Sequence, residues 1–227
     1  MDKTIKPIGY IKSSYKSKFG VPRQAGLVDS VAYIMLYNEF RNSDAFRGIE
    51  DFSHLWLLWD FSECSKKDWS PTVRPPRLGG NKRIGVFATR SPFRPNSIGL
   101  SSVKLLGVDY KCKNAPVLCI SGADMVDGTP IYDIKPYLPY TDCHTDATGG
   151  FTDDICENKM NVVIQCDYSV PDEILKTIIQ ILQSDPRPSY QSDSDRVYGM
   201  DYEDFNIKFK VDGNTIYVIS LTDSISG

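Results

Sequence analysis

The chain has 227 residues, of which 41% are apolar and 24% are charged, and its net charge is −3. This composition supports a packed globular core, and it excludes wholesale disorder, a coiled coil and a fibrous repeat. The first twenty residues contain Lys but no apolar segment of signal-peptide length, so we expect a cytoplasmic protein that enters no membrane.

Most of the predicted elements are short strands separated by Gly and Pro. In the first half of the chain, apolar runs of strand length occur at 31–36, 54–61, 84–88, 100–110 and 116–121. No strand alternates with a helix of about ten residues, which argues against a doubly wound sheet. The pattern favours a closed or half-closed β-barrel.

The second half begins with a segment, 141–159, that is rich in Asp, Thr and Gly and indicates a linker or mobile loop. A strand is predicted at 162–168 and a helix at 170–183, where Pro171 suits the first turn. Five apolar side chains fall on one face of this helix: Ile174, Leu175, Ile178, Ile179 and Leu182. Strands at 205–211 and 215–219 flank a hairpin turn at 212–214.

Positive charge is concentrated between residues 66 and 94, a segment that contains eight Lys and Arg but only one acidic residue, Asp68. A solvated charged loop is the simpler interpretation. However, the segment is interleaved with Pro, Gly and the aromatic residues Trp69, Phe87 and Phe93, which can stack on bases. The segment therefore favours a nucleic-acid-binding surface, although the chain as a whole is acidic.

Metal and dinucleotide motifs are missing from the sequence. The six Cys show no C-x-x-C spacing, and the two His, His54 and His144, form no H-x-x-x-H or H-E-x-x-H pattern. We therefore expect reduced thiols and no metal site. There is also no Rossmann glycine fingerprint, phosphate loop or nucleophile elbow.

Four segments remain unusual: 21–26 (VPRQAG), 52–56 (FSHLW), 74–101 and 124–137. The first presents Arg and Gln on a rigid turn, and the third combines five Arg with Pro and Gly. The fourth presents carboxylates beside a turn at Asp127. Each also has a simpler interpretation, namely a surface turn at 21–26, a capping His54, a solvated loop, and ordinary hairpin chemistry at 127–128.

Together these segments resemble the TsaA-like family, also called TrmO. The stretches GVFATRSPFRPNSIGLS and DGTPIYDIKPYLPY carry the resemblance, and VPRQ, FSHLW, VRPPRLGG and DPRPSY fit the same family in the same order. The resemblance runs from Ile8 to about Ile219, which is nearly the whole chain. Several long motifs in one order are far more specific than any single motif.

The resemblance implies a mainly β fold, with an N-terminal β-barrel and a small α+β C-terminal domain, working as a homodimer. We place the barrel at 1–142, a linker at 143–161 and a strand–helix–hairpin domain at 162–227. The implied activity is S-adenosylmethionine-dependent methylation of N6 of threonylcarbamoyladenosine at position 37 of tRNA, in the anticodon arm. Two alternatives stay open: a non-catalytic tRNA- or nucleotide-binding barrel, and a small-molecule methyltransferase on the same scaffold.

The resemblance also assigns site residues. The family's contacts to the cofactor S-adenosylmethionine would fall on Pro22, Arg23, Gln24, His54, Leu55, Arg90, Leu100, Asp124, Met125, Val126 and Asp127. We expect the substrate tRNA to contact Arg74, Arg77, Lys82, Arg83, Arg94 and Lys135. Asp133 is the candidate general base, with water as the alternative. A carboxylate beside the sulfonium would favour the ground state, so we expect Asp124 or Asp127 to bind the amino-acid or ribose part.

Overall fold

The computed structural model describes residues 4–62, 69–75, 78, 81–153, 159–187 and 193–224. Six strands form an antiparallel barrel, namely β1 (Gly9–Lys12), β2 (Val31–Leu36), β3 (His54–Asp60), β6 (Ile98–Asp109), β7 (Val117–Ser121) and β8 (Pro130–Pro136). Their order around the closed barrel is β1-β2-β7-β6-β3-β8. Between β3 and β6 lies a small ribbon made of β4 (Thr72–Val73) and β5 (Ile84–Gly85).

Alternation of side chains along the strands builds the barrel. In β3, Leu55, Leu57 and Trp59 point inward and are buried, whereas the intervening side chains lie on the outer surface. The same alternation buries the inward side chains of β2, β6 and β7, which gives one continuous apolar core. This core fixes which face of each strand can meet a ligand at the barrel's end.

The C-terminal part is a four-stranded sheet covered by one long helix, and a short α1 (Pro139–Asp142) precedes it. Its elements are β9 (Asn161–Ile164), α2 (Asp172–Gln183), β10 (Tyr198–Tyr202), β11 (Phe205–Asp212) and β12 (Thr215–Asp223). The strand order in the sheet is β10-β11-β12-β9. Strand β9 pairs with β12 in parallel, and the other pairs are antiparallel.

The segment between β1 and β2 leaves the barrel and packs into this second core. Tyr15 and Val28 are buried among side chains of α2 and the C-terminal sheet, and Phe19 and Val21 pack against the same cluster. The Tyr15 hydroxyl donates to Ser30 at 2.9 Å. Residues 21–26 therefore lie at the junction of the barrel and the C-terminal part.

Most predicted elements are confirmed within a few residues. The barrel and the smaller C-terminal α+β part agree with the prediction. Strands β1, β4, β8 and β10 were not predicted. The strand predicted at 84–88 is wrong after Gly85, because Val86–Ala88 form a 3-10 turn that the Thr89 hydroxyl closes onto the Val86 carbonyl.

In α2, the buried set includes Ile181, which was not predicted, and the N-cap position is Pro171. Within the described ranges, no helix is both long and apolar enough to cross a membrane.

Gly99 provides a test of the packing at the barrel's end. It lies opposite Trp59 in the β3–β6 register, and a Cβ atom there would overlap the indole ring. Gly99→Ala should therefore displace Trp59 and lower the free energy of unfolding by about 1–3 kcal/mol. Chemical denaturation measures this. Gly85→Ala is the matched control, since its Cβ meets no atom within 4 Å and its φ is −55°. Equal stability of the two variants would contradict this account of the packing.

Candidate functional site

A cavity of about 330 Å³ lies where β3 leaves the barrel. The rings of Trp59, Phe61 and Phe93 form much of its wall, and the segment from Asp124 to Val126 closes another side. Lys18 and Val21, from the segment that packs into the C-terminal core, complete it. An apolar, aromatic cavity with a few polar groups is the usual form of a site for a small organic ligand.

The carboxyl group of Asp124 is the largely buried acid of this cavity. It accepts a hydrogen bond from the Ser101 hydroxyl at 2.6 Å, and that hydroxyl in turn accepts from the Trp59 indole at 3.0 Å. The backbone N–H of Ala25 also donates to the carboxyl. Burial raises the pKa of Asp124, and the hydrogen bonds together with the nearby Arg90 guanidinium oppose that shift.

The turn that carries Arg23 and Gln24 lies beside Asp124. The Arg90 guanidinium donates to the Gln24 side-chain carbonyl at 2.5 Å, and the Gln24 amide donates to the Arg23 carbonyl at 2.6 Å. Pro22, which precedes them in the chain, is buried. The structure thus brings together predicted cofactor residues from three distant parts of the chain.

Asp127, another predicted cofactor residue, is exposed and bonds to the segment that follows β1. Its carboxylate accepts from the Ser13 backbone N–H at 2.9 Å, and its own N–H donates to the Tyr15 carbonyl. It is not among the residues that line the cavity. Of the two carboxylates predicted to bind the cofactor, Asp124 is the one that faces the cavity.

The structure does not bring His54, Leu55 and Leu100 to this cavity. His54 begins β3, six residues before Asp60, and six extended residues span about 20 Å. The side chain of Leu55 is buried in the barrel core, so only its backbone could reach a ligand. Leu100 points outward from β6 and is 54% exposed.

The predicted tRNA contacts fall into three groups. Arg74, Lys82 and Arg83 are exposed around the β4–β5 ribbon, and Arg83 donates to Thr72. Arg94 is half-buried and donates to the Thr89 carbonyl at 2.7 Å. Lys135 forms an exposed ion pair with Asp133 at 2.9 Å, away from the cavity-lining residues. Arg77 lies outside the described residues.

Sequence reasoning missed Trp59, Phe61 and Ser101 as parts of the site. Ser101 carried a readable signal, because it is a polar residue at an inward position of an otherwise apolar strand. Trp59 looked like an ordinary core residue of β3, and its indole N–H finds its partner only once β3 and β6 pair. Within the described part of the chain, no three His, Cys, Asp or Glu side chains group as a metal site.

Known proteins resemble the chain over nearly its whole length. The family model described as the tRNA-methyltransferase O N-terminal domain matches residues 10–143, and the TrmO C-terminal domain matches 155–224. A tRNA (adenine(37)-N6)-methyltransferase of Escherichia coli K12 is 42% identical over 216 residues, covering 90% of this chain and 91% of that protein.

Two further relatives differ in extent. An S-adenosyl-L-methionine-binding protein of Archaeoglobus fulgidus is 37% identical over 145 residues, covering 64% of this chain and 96% of that protein. A crystal structure of TrmO from Pseudomonas aeruginosa has a TM-score of 0.76 and 31% identity, and the match covers 98% of this chain and all of that one (100%).

The buried Asp124 carboxyl predicts a pH-dependent stability. Because its pKa is raised in the folded chain, the folded state binds more protons than the unfolded state as pH rises from about 4, so ionised Asp124 is destabilising above its folded-state pKa. Asp124→Asn removes this titration, so its melting temperature relative to that of the unaltered chain should rise as pH increases from about 4 to 7.

Thermal unfolding across pH measures this effect, with the exposed Asp146→Asn as control. A relative melting temperature of Asp124→Asn that falls as pH rises would show that the carboxylate form stabilises the fold instead, and one that does not change with pH would contradict the raised pKa.

Proposed function

The chain belongs to the TrmO family, and from this premise we propose that it methylates threonylcarbamoyladenosine at position 37 of tRNA, on N6 of the adenine. It is an S-adenosylmethionine-dependent tRNA (adenine(37)-N6)-methyltransferase with a barrel fold instead of a Rossmann fold. The threonylcarbamoyl group on the acceptor is our proposal. The observation that carries the cofactor site is the cavity in which Asp124 lies beside the Gln24–Arg90 pair.

The residues around the cavity fit S-adenosylmethionine. Its size and aromatic wall suit a nucleobase, and the buried Asp124 carboxyl can accept hydrogen bonds from an ammonium group or from ribose hydroxyls. When bound, this cofactor supplies an electrophilic methyl group on a sulfonium. Because that positive charge is lost on transfer, Asp124 promotes the reaction best when it binds a part of the cofactor remote from the sulfur.

Arg90 and Arg94 are the candidates that recognise the threonyl carboxylate of the acceptor. A guanidinium presents a fork of donors that matches a carboxylate, and each of the two has nitrogens beyond the one bonded to Gln24 or to backbone carbonyls. Arg94 follows Phe93, which lines the cavity. Lys135 is the third candidate, although its ion pair with Asp133 lies on the outer barrel surface.

Transfer to an exocyclic nitrogen requires a group that accepts the N6 proton. Asp133 stays the candidate base, with water as the alternative. Because Asp133 pairs with Lys135 outside the cavity, it can serve only if the acceptor base reaches that outer surface.

A homodimer would account for the separation of the predicted cofactor contacts. Val31 and Tyr33 are exposed on the outer face of β2, and Leu100 and Leu106 are exposed on the outer face of β6. These exposed apolar side chains are candidates for a protein interface. His54 lies about 20 Å along β3 from the cavity, and the Leu100 side chain points to the outer surface, so a cofactor confined to the cavity of one protomer contacts neither side chain. We therefore propose that His54 and Leu100 contact the cofactor bound to a second copy of the chain.

The exposed cations around the β4–β5 ribbon, Arg74, Lys82 and Arg83, are proposed to bind phosphates of the anticodon arm. Contacts to phosphates do not distinguish one base from another, so these cations would orient the tRNA while the cavity region selects the modified base. A tRNA substrate also supports the proposed cytoplasmic location.

Turnover of the cofactor separates this proposal from its two alternatives. The chain should convert S-adenosylmethionine to S-adenosylhomocysteine when tRNA is present, and it should not do so when tRNA is absent. Chromatography of the reaction mixture measures both compounds. Cofactor binding without turnover in the presence of tRNA would favour a non-catalytic binding barrel. Turnover with a small molecule in place of tRNA would favour the small-molecule methyltransferase.

A further inference from the structure

The C-terminal motif that begins at Asp185 lies against the turn of the candidate cofactor site. Asp185 follows α2, and its backbone N–H donates to the Leu182 carbonyl while its φ is +48°, an uncommon conformation for a residue with a side chain. The Arg187 guanidinium closes this bend by donating from Nε and Nη2 to the two carboxylate oxygens of Asp185, at 2.9 and 3.1 Å. The Arg187 side chain is only 13% exposed.

The bend turns two backbone carbonyls toward the barrel. The carbonyls of Asp185 and Arg187 both accept from Nη2 of Arg23, at 3.0 and 2.8 Å. Arg23 belongs to the turn at residues 22–24, whereas its two acceptors are more than 160 residues later in the chain. Since a bidentate Arg–carboxylate pair fixes geometry as well as energy, Arg187 determines where these acceptors point.

From Arg23 the bonded contacts continue into the cavity. The Arg23 carbonyl accepts from the Gln24 amide, and the Gln24 side-chain carbonyl accepts from Arg90. The next residue, Ala25, donates its backbone N–H to the Asp124 carboxyl. The orientation of Arg23 therefore bears on groups that face the proposed cofactor.

We propose that Arg187 is a positioning residue for the cofactor site. It orders the turn at residues 22–24 through the Asp185 bend, and it does not itself contact the cofactor or the reacting atoms. This inference rests on the proposed function, since it assumes that the cavity binds S-adenosylmethionine. If the bend is lost, the turn at residues 22–24 becomes ordered only when the cofactor binds. The free energy needed to order the turn then makes cofactor binding weaker.

A second contact between the same two parts of the chain provides a matched control. The Gln180 side chain accepts from the Asp29 backbone N–H at 2.9 Å and donates to the Asp29 carboxylate at 3.0 Å. These are two hydrogen bonds from α2 to the same β1–β2 segment, but they end at Asp29, beyond the cofactor turn. Gln180→Ala should lower the free energy of unfolding without weakening the binding of the cofactor.

The test is calorimetric titration of S-adenosylmethionine into the full-length chain and its variants, well below their melting temperatures. Arg187→Ala should bind the cofactor about tenfold more weakly, and Gln180→Ala should bind within about twofold of the unaltered chain. With saturating cofactor, the turnover of Arg187→Ala should return close to that of the unaltered chain, since only positioning is lost. Unaltered affinity in Arg187→Ala, or an equal loss in Gln180→Ala, would overturn the proposal.

A double-mutant cycle tests whether Arg187 acts through Arg23. Adding Arg187→Ala to Arg23→Ala should weaken cofactor binding little further, because both substitutions disrupt the hydrogen bonds between Arg23 and the Asp185 bend. Additive losses would overturn this route. If Arg187→Ala fails to fold, Arg187→Lys replaces it in these experiments, because Lys keeps the positive charge but cannot donate to both carboxylate oxygens of Asp185 in the same geometry. The expected and contradicting results are the same as for Arg187→Ala. Absence of cofactor binding by the unaltered chain would overturn the proposed function, whereas equal affinities overturn the positioning role alone.

Discussion

A carboxyl group buried at the end of an apolar barrel needs polar or charged partners, and Asp124 has three of them from separate parts of the chain. The Ser101 hydroxyl donates from β6, the Ala25 backbone N–H donates from the junction segment, and the positive charge of Arg90 lies nearby in the basic segment. Two of these partners are held in turn, Ser101 by the Trp59 indole and Arg90 by Gln24. The requirement to solvate one buried acid thus brings β3, β6, the cofactor turn and the basic segment to the same place.

The two parts of the chain are joined at this same place. Residues 13–30 belong to the barrel by sequence, yet Tyr15 and Val28 are buried in the C-terminal core. A turn between two packed cores is ordered from both sides, which suits a site whose reaction depends mainly on positioning. The Asp185 bend reinforces that order from the C-terminal side through Arg23.

Sequence alone predicted the barrel, α2 and the C-terminal hairpin, because alternation and turn residues are local signals. It missed β1 and β8, whose pairing closes the barrel, since closure is a long-range property that a four-residue strand such as GYIK does not reveal. In the site, the motifs located Gln24, Arg90 and Asp124. They did not reveal that Asp127 bonds to the Ser13 backbone, that Asp133 pairs with Lys135, or that His54 lies at the far end of β3, because these depend on register.

Nucleoside mass spectrometry identifies the acceptor on the tRNA most directly. tRNA from cells that lack this protein would be incubated with the purified chain and S-adenosylmethionine, and then digested to nucleosides. We predict a gain of one methyl group on threonylcarbamoyladenosine, which disappears when the tRNA lacks the threonylcarbamoyl group. A methyl group that appears equally on unmodified adenosine at position 37, or no methyl group although cofactor binds, would contradict the account.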